Sequence, residues 1–102
     1  MKTISPDQLL LKLQRNEDIV LIDVRTPEEH QAFNIGGILM PLNELVLHHP
    51  IFQSEKEIIV YCKKGIRSMI AIQRLENKYN TNNLYNLIGG IEAWKKYVNE
   101  DK

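Results

Sequence analysis

Apolar positions along the chain alternate between short continuous runs and sets at helical spacing. Ile19-Val20-Leu21-Ile22 and Ile58-Ile59-Val60-Tyr61 are uninterrupted and β-branched-rich. Such runs predict strands covered on both faces. Residues 38–40 predict a shorter strand stopped by Pro41, and residues 84–87 another ended by Gly89-Gly90. Between the strands the period changes. Ser5-Pro6-Asp7-Gln8 is a helix start, with a capping serine, proline at the first helical position and Gln8 completing a capping box. Leu9, Leu10 and Leu13 then share one face. Thr26-Pro27-Glu28-Glu29 repeats that start for a short helix ahead of Gly36-Gly37. Residues 42–47 predict one or two helical turns. Residues 68–79 predict a helix with Ala71, Ile72, Leu75 and Tyr79 inward. Ile91, Trp94, Tyr97 and Val98 mark a last amphipathic helix. Strands alternating with helices imply an α/β fold.

A length of 102 residues bounds the chain to one domain, 1–102. The apolar share of 43% and charged share of 25% are those of a globular chain, which excludes a disordered one. Thirteen basic and thirteen acidic residues cancel. No global field favours nucleic acid or an anionic membrane surface. No apolar run approaches the ~20 residues of a membrane helix, and the opening residues do not form a signal peptide. The single cysteine excludes an intrachain disulfide and a multi-cysteine zinc site. A reducing, cytoplasmic setting is the expectation.

That cysteine, Cys62, stands where a buried strand meets a loop and then a helix, the place where open α/β sheets bind ligands. A lone cysteine at a strand end is most often a small buried hydrophobe. Its neighbours, Lys63-Lys64-Gly65-Ile66-Arg67-Ser68, change the picture. A thiol near its reference pKa of ~8.5 is mostly protonated at neutral pH, and the thiolate is the nucleophile. Lowering the pKa by two units takes ~2.7 kcal/mol of preferential stabilisation. Three features point that way: the N–H groups opening the next helix, a nest permitted by Gly65, and the charges of Lys63, Lys64 and Arg67. The same cradle suits a substrate anion, with Arg67 offering a bidentate fork.

Cys-x-x-Gly-x-Arg-Ser after a hydrophobic strand resembles the active-site loop of rhodanese-like sulfurtransferases. The similarity runs along nearly the whole chain. Asp23-Val24-Arg25 with Pro27-Glu28-Glu29 resembles the family's Asp-Val-Arg segment. Pro41-Leu42-Asn43-Glu44-Leu45 falls at its Pro-Leu segment, and Leu87-Ile88-Gly89-Gly90-Ile91-Glu92-Ala93-Trp94 is similar to its Gly-Gly-x-x-x-Trp signature. Phe33-Asn34-Ile35-Gly36-Gly37-Ile38 departs from the family's Gly-His-Ile-Pro-Gly-Ala, keeping only Ile35 and Gly37 of the pattern.

The resemblance implies a rhodanese-like α/β fold: a five-stranded, mostly parallel sheet flanked by helices on both faces. It implies that Cys62 attacks the outer sulfur of a small anionic donor such as thiosulfate, forming a persulfide, and that a thiol or cyanide-type acceptor takes the sulfur. A protein serving as sulfur donor or acceptor fits the same chemistry. Lys63, Lys64, Gly65, Ile66, Arg67 and Ser68 are then the substrate-binding positions. Asp23 and Arg25 are read as structural support near the site. No cofactor is implied. His30, His48 and His49 lack metal-ligand spacing, so no metal site is expected. The alternatives are a persulfide relay for a partner protein, a silent regulator, and an oxyanion phosphatase or arsenate reductase of the same fold. That last class resembles this one with one more residue between Cys and Arg, where this chain has four.

Overall fold

A computed structural model describes residues 1–45 and 49–100. Five strands form one sheet in the order β1-β5-β4-β2-β3: β1 (Lys2–Ile4), β2 (Ile19–Asp23), β3 (Ile38–Leu39), β4 (Glu57–Tyr61) and β5 (Leu84–Leu87). Every pairing is parallel, so the expected mostly parallel sheet is wholly so. The four helices are α1 (Pro6–Gln14), α2 (Pro27–Ala32), α3 (Ile66–Tyr79) and α4 (Gly90–Glu100). Short 3-10 turns span Leu42–Glu44 and Pro50–Gln53. No described helix is long and apolar enough to cross a membrane.

The continuous apolar runs are explained by what covers them. Alternate side chains of a strand point to opposite faces. In β2 and β4, Val20, Ile22, Ile58 and Val60 pack with Ala71, Ile72 and Leu75 of α3. Ile19, Leu21, Ile59 and Tyr61 pack with Leu9 of α1 and Ile91 and Trp94 of α4. Two cores thus sandwich the sheet. Each fully buried Leu or Ile contributes on the order of 1.5–3 kcal/mol.

The helix starts form as their residues dictate. The Ser5 N–H donates to the Gln8 carboxamide at 3.0 Å. The Glu29 N–H donates to Thr26 Oγ1 at 3.2 Å, and the Thr26 N–H donates back to Glu29 Oε1 at 3.1 Å. Two elements depart from the expectation. Lys2–Ile4 is an edge strand, yet only Ile4 of its three residues is buried, so its apolar signal is too short to stand out. Helix α3 begins at Ile66 rather than Ser68, taking Ile66 and Arg67 out of the loop. The turn expected over 42–47 forms across Leu42–Glu44; residues 46–48, including His48, lie outside the described residues.

β4 lies between β5 and β2, and the chain leaves these strands in opposite directions: from β2 toward the β3 edge, from β4 toward the β5 edge. A crevice opens at such a switch point, beyond the carboxyl ends of the strands. Cys62 directly follows β4. Its carbonyl accepts the Ile91 N–H at 2.8 Å, and the Lys63 carbonyl accepts the Glu92 N–H at 3.1 Å. The first turn of α4 is thereby seated on the backbone of the cysteine loop. The fit requires Gly90, which has φ +63°; a Cβ there would stand 2.5 Å from the Cys62 oxygen. Gly90→Ala is therefore expected to cost roughly 2–4 kcal/mol through backbone strain and overpacking. Urea unfolding measures this, and a loss below about 0.5 kcal/mol would contradict the close seating.

Candidate active site

Cys62 is 1% exposed. The reason is local. Gly65 adopts φ +98°, turning the chain back over the sulfur before α3 begins. The Gly65 N–H donates to Sγ at 3.0 Å. The Ser68 N–H, in the unpaired first turn of α3, donates at 3.4 Å. The Ser68 hydroxyl lies 3.4 Å from Sγ. Glycine at position 65 and a helix opening on the thiol thus supply the nest that the motif predicts.

Ser68 is itself held. Its hydroxyl donates to Asn86 Oδ1 at 2.5 Å, and Asn86 Nδ2 donates to the Gly65 carbonyl at 3.1 Å. Asn86 thereby ties the loop to β5. It carries no motif signal; the one clue is a polar residue at a buried strand position in Leu84-Tyr85-Asn86-Leu87. The single hydroxyl proton of Ser68 has two takers. With a neutral thiol it stays on Asn86, and Cys62 donates to Ser68 Oγ. With a thiolate, Sγ competes for it.

Burial pushes the Cys62 thiol up, but hydrogen bonds from the Ser68 hydroxyl and from the backbone N–H groups of Ser68, Gly65 and Lys64 outweigh it. The net effect is a thiol below its ordinary value. The sequence assigns part of that work to lysine charge. Lys63 and Lys64 instead have exposed side chains. Lys63 Nζ lies 4.0 Å from a Glu92 carboxylate oxygen. Backbone and hydroxyl donors are closer to the sulfur and cannot be screened by salt as exposed ammonium groups are.

Arg67 also differs from expectation. Its fork is not free: Nη1 and Nη2 donate to the two oxygens of Glu29 at 2.7 and 2.9 Å. This pairing crosses the crevice from α3 to α2. Hydrogen bonding from Arg67 holds the Glu29 carboxyl down at about 2, against a smaller upward push from burial. The pair is therefore ionised throughout the neutral range. In the sequence Glu29 reads only as a capping residue, and nothing local signals a partner so distant in the chain.

Beside the site, Asp23 and Arg25 form a buried pair, with Arg25 Nε and Nη2 donating to Asp23 at 2.9 and 2.8 Å. Arg25 Nη2 also donates to the Phe33 carbonyl at 2.6 Å, and His30 Nδ1 lies 2.8 Å from Asp23. The Arg25 guanidinium lies 5.7 Å from the Tyr61 ring centre. Tyr61 in turn donates to the Gly36 carbonyl at 2.9 Å. These contacts brace the segment from β2 to β3. Neither Asp23 nor Arg25 lines the thiol pocket.

That pocket is small, about 150 Å³, and is lined by Cys62, Lys63, Lys64, Ile66 and Arg67. A larger cleft, about 680 Å³, opens elsewhere, between Phe52 and residues 79–83, and is not lined by Cys62. Among the described residues no cluster of His, Cys, Asp and Glu is arranged to hold a metal ion. The thiol pocket can therefore stabilise a thiolate or a persulfide by backbone donors and admit a small sulfur-bearing group. Ser68→Ala removes one donor and keeps the backbone ones. The Cys62 pKa, read from the pH dependence of alkylation, is expected to rise. An unchanged profile would show that the hydroxyl stays on Asn86.

Residues 5–97 match the family model described as rhodanese-like domain. The chain is 32% identical to the thiosulfate sulfurtransferase GlpE of Coxiella burnetii over 87 residues, covering 84% of this chain and 80% of that one. It is 28% identical to a sulfurtransferase of Allochromatium vinosum, with 92% and 88% covered. A rhodanese-like domain protein of Staphylococcus aureus superposes with a TM-score of 0.80 at 29% identity, covering 92% of this chain and 91% of the other. The motifs, the parallel sheet and the thiol nest agree with these likenesses, and the chain belongs to the rhodanese-like domain family.

Proposed function

We propose that this chain, acting as a single rhodanese-like domain, is a sulfurtransferase that carries sulfane sulfur as a Cys62 persulfide. The observation that carries the reading is the seating of the sole cysteine beneath the Gly65 and Ser68 N–H groups, at the base of a small pocket. The Cys62 thiolate attacks the outer sulfur of thiosulfate or a related donor. The Sγ–S bond forms, the donor S–S bond breaks, and sulfite leaves with the electron pair. An acceptor thiolate or cyanide then attacks the persulfide's outer sulfur and Cys62 leaves as thiolate.

The nest serves both states. Its donors stabilise the anion on Sγ before transfer and the terminal sulfur's charge afterwards. They are fixed in the fold, so little reorganisation accompanies the step. Ile66 and Arg67 wall the pocket, and Lys63 and Lys64 stand exposed beside it. The four-residue spacing from Cys62 to Arg67 makes a narrow cradle, which suits a sulfur atom better than a tetrahedral phosphate or arsenate.

Intact-protein mass spectrometry before and after thiosulfate tests the reading on wild type and Cys62→Ser. One added sulfur atom on wild type alone, removed by cyanide, is expected. Equal sulfur transfer by Cys62→Ser would overturn it. The relatives named as sulfurtransferases lend support at the level of reaction class.

A further inference from the structure

The Glu29–Arg67 pair bears on which donor the pocket accepts. Attack by a Cys62 thiolate on thiosulfate brings one and two negative charges together, and all three remain on the products. Attack on a protonated organic persulfide, R–S–SH, brings only one. There Sγ bonds to the outer sulfur, the donor's S–S bond breaks, and RS⁻ departs with the electron pair. The proton stays on the transferred sulfur. The two donor classes thus differ in how much positive charge the pocket must offer.

Arg67 is the pocket's only guanidinium, and both its terminal nitrogens are engaged by Glu29. Glu29 Oε1 also accepts from the Thr26 N–H and hydroxyl, at 3.1 and 3.2 Å, so the carboxylate is anchored in its own helix cap. The side chains of Glu29 and Arg67 are about 30% exposed, partly withdrawn from water on both sides. The other cations lining this pocket are Lys63 and Lys64, whose exposed ammonium groups are strongly hydrated and screened, while Arg25 and Arg74 line a neighbouring cleft that Arg67 also borders. The other lining residue is Ile66, 60% exposed, with Met69 one turn on at 38%. An incoming donor therefore meets a paired arginine, two hydrated ammonium groups at the mouth, and carbon surface.

Resting on the sulfurtransferase reading, we infer that Glu29 is a specificity-determining residue. By occupying the Arg67 fork it disfavours compact dianionic donors and leaves the pocket to persulfides borne on an organic group. The apolar wall at Ile66 contacts that group, while the backbone nest handles the transferred sulfur. A donor whose sulfane sulfur is borne on an organic thiol gains from this wall; thiosulfate does not.

Steady-state transfer to cyanide, with thiosulfate and with a small alkyl persulfide as donors, tests this on wild type and Glu29→Gln. Glutamine keeps the capping box, since it serves that position as glutamate does. Wild type is expected to show a kcat/KM at least tenfold higher for the persulfide. Glu29→Gln is expected to raise the thiosulfate value about tenfold, chiefly through KM, and to move the persulfide value less than about twofold. Equal use of both donors by wild type would overturn the inference whatever the variant does. So would a folded Glu29→Gln protein with an unchanged donor ratio. In both of those cases sulfur still reaches Cys62 and the sulfurtransferase reading survives. If neither donor adds sulfur to Cys62, that reading falls and the inference with it.

Discussion

A sulfur atom shut off from water carries charge only if the protein supplies the hydrogen bonds that water would. At Cys62 that constraint organises the molecule. The sulfur is 1% exposed, and burial alone would leave it a neutral thiol. Two backbone donors converge on it within six residues of chain, the Gly65 N–H and the Ser68 N–H, and the Ser68 hydroxyl, 3.4 Å away, can turn its proton from Asn86 to a thiolate. Each depends on something further away. Gly65 supplies the positive φ, α3 supplies an unpaired N–H at its opening, and Asn86 on β5 fixes both the Gly65 carbonyl and the Ser68 hydroxyl. From the other side, α4 is seated on the Cys62 and Lys63 carbonyls through Gly90. The cradle is thus a meeting of β4, β5, α3 and α4, and its geometry is set by the packing of the two cores.

Around this centre stands a second layer of buried or half-buried ion pairs. The Asp23–Arg25 pair is internal to the segment after β2 and has additional partners in Phe33 and His30. Removing one member would leave the other charged and buried, at a cost of order 3–5 kcal/mol. Its work is to fix the crevice wall. The Glu29–Arg67 pair is different in kind: it joins α2 to α3 across the mouth, and one of its members lines the thiol pocket. Structure and selectivity meet in that pair, because the contact that closes the crevice also sets the charge a donor encounters.

Much of this was legible in the sequence, and the exceptions share a cause. Continuous apolar runs located β2 and β4, and the Ser5 and Thr26 caps located α1 and α2, since both signals are local. Cys62, Gly65 and Ser68 were legible as a nest because the turn and helix start are contiguous. β1 was missed because one buried residue in three gives no alternation. Asn86 and the role of Glu29 were missed because their partners are 18 to 38 residues away and only the parallel topology brings them together. The charge attributed to Lys63 and Lys64 was misplaced for a related reason. Sequence shows that they are near the cysteine along the chain but not that their side chains leave it for solvent.

The central claim is that backbone and Ser68 donors, rather than lysine charge, hold the Cys62 thiol below its ordinary pKa in the absence of substrate. Thiolate ultraviolet absorbance as a function of pH, with the Cys62→Ser signal subtracted, tests it directly when repeated on a Lys63→Gln/Lys64→Gln variant. The account predicts a midpoint below the ordinary thiol value of ~8.5 in wild type, moved by no more than about half a unit in the double variant. A midpoint at or above the ordinary value, or one restored to it by the lysine substitutions, would contradict the account.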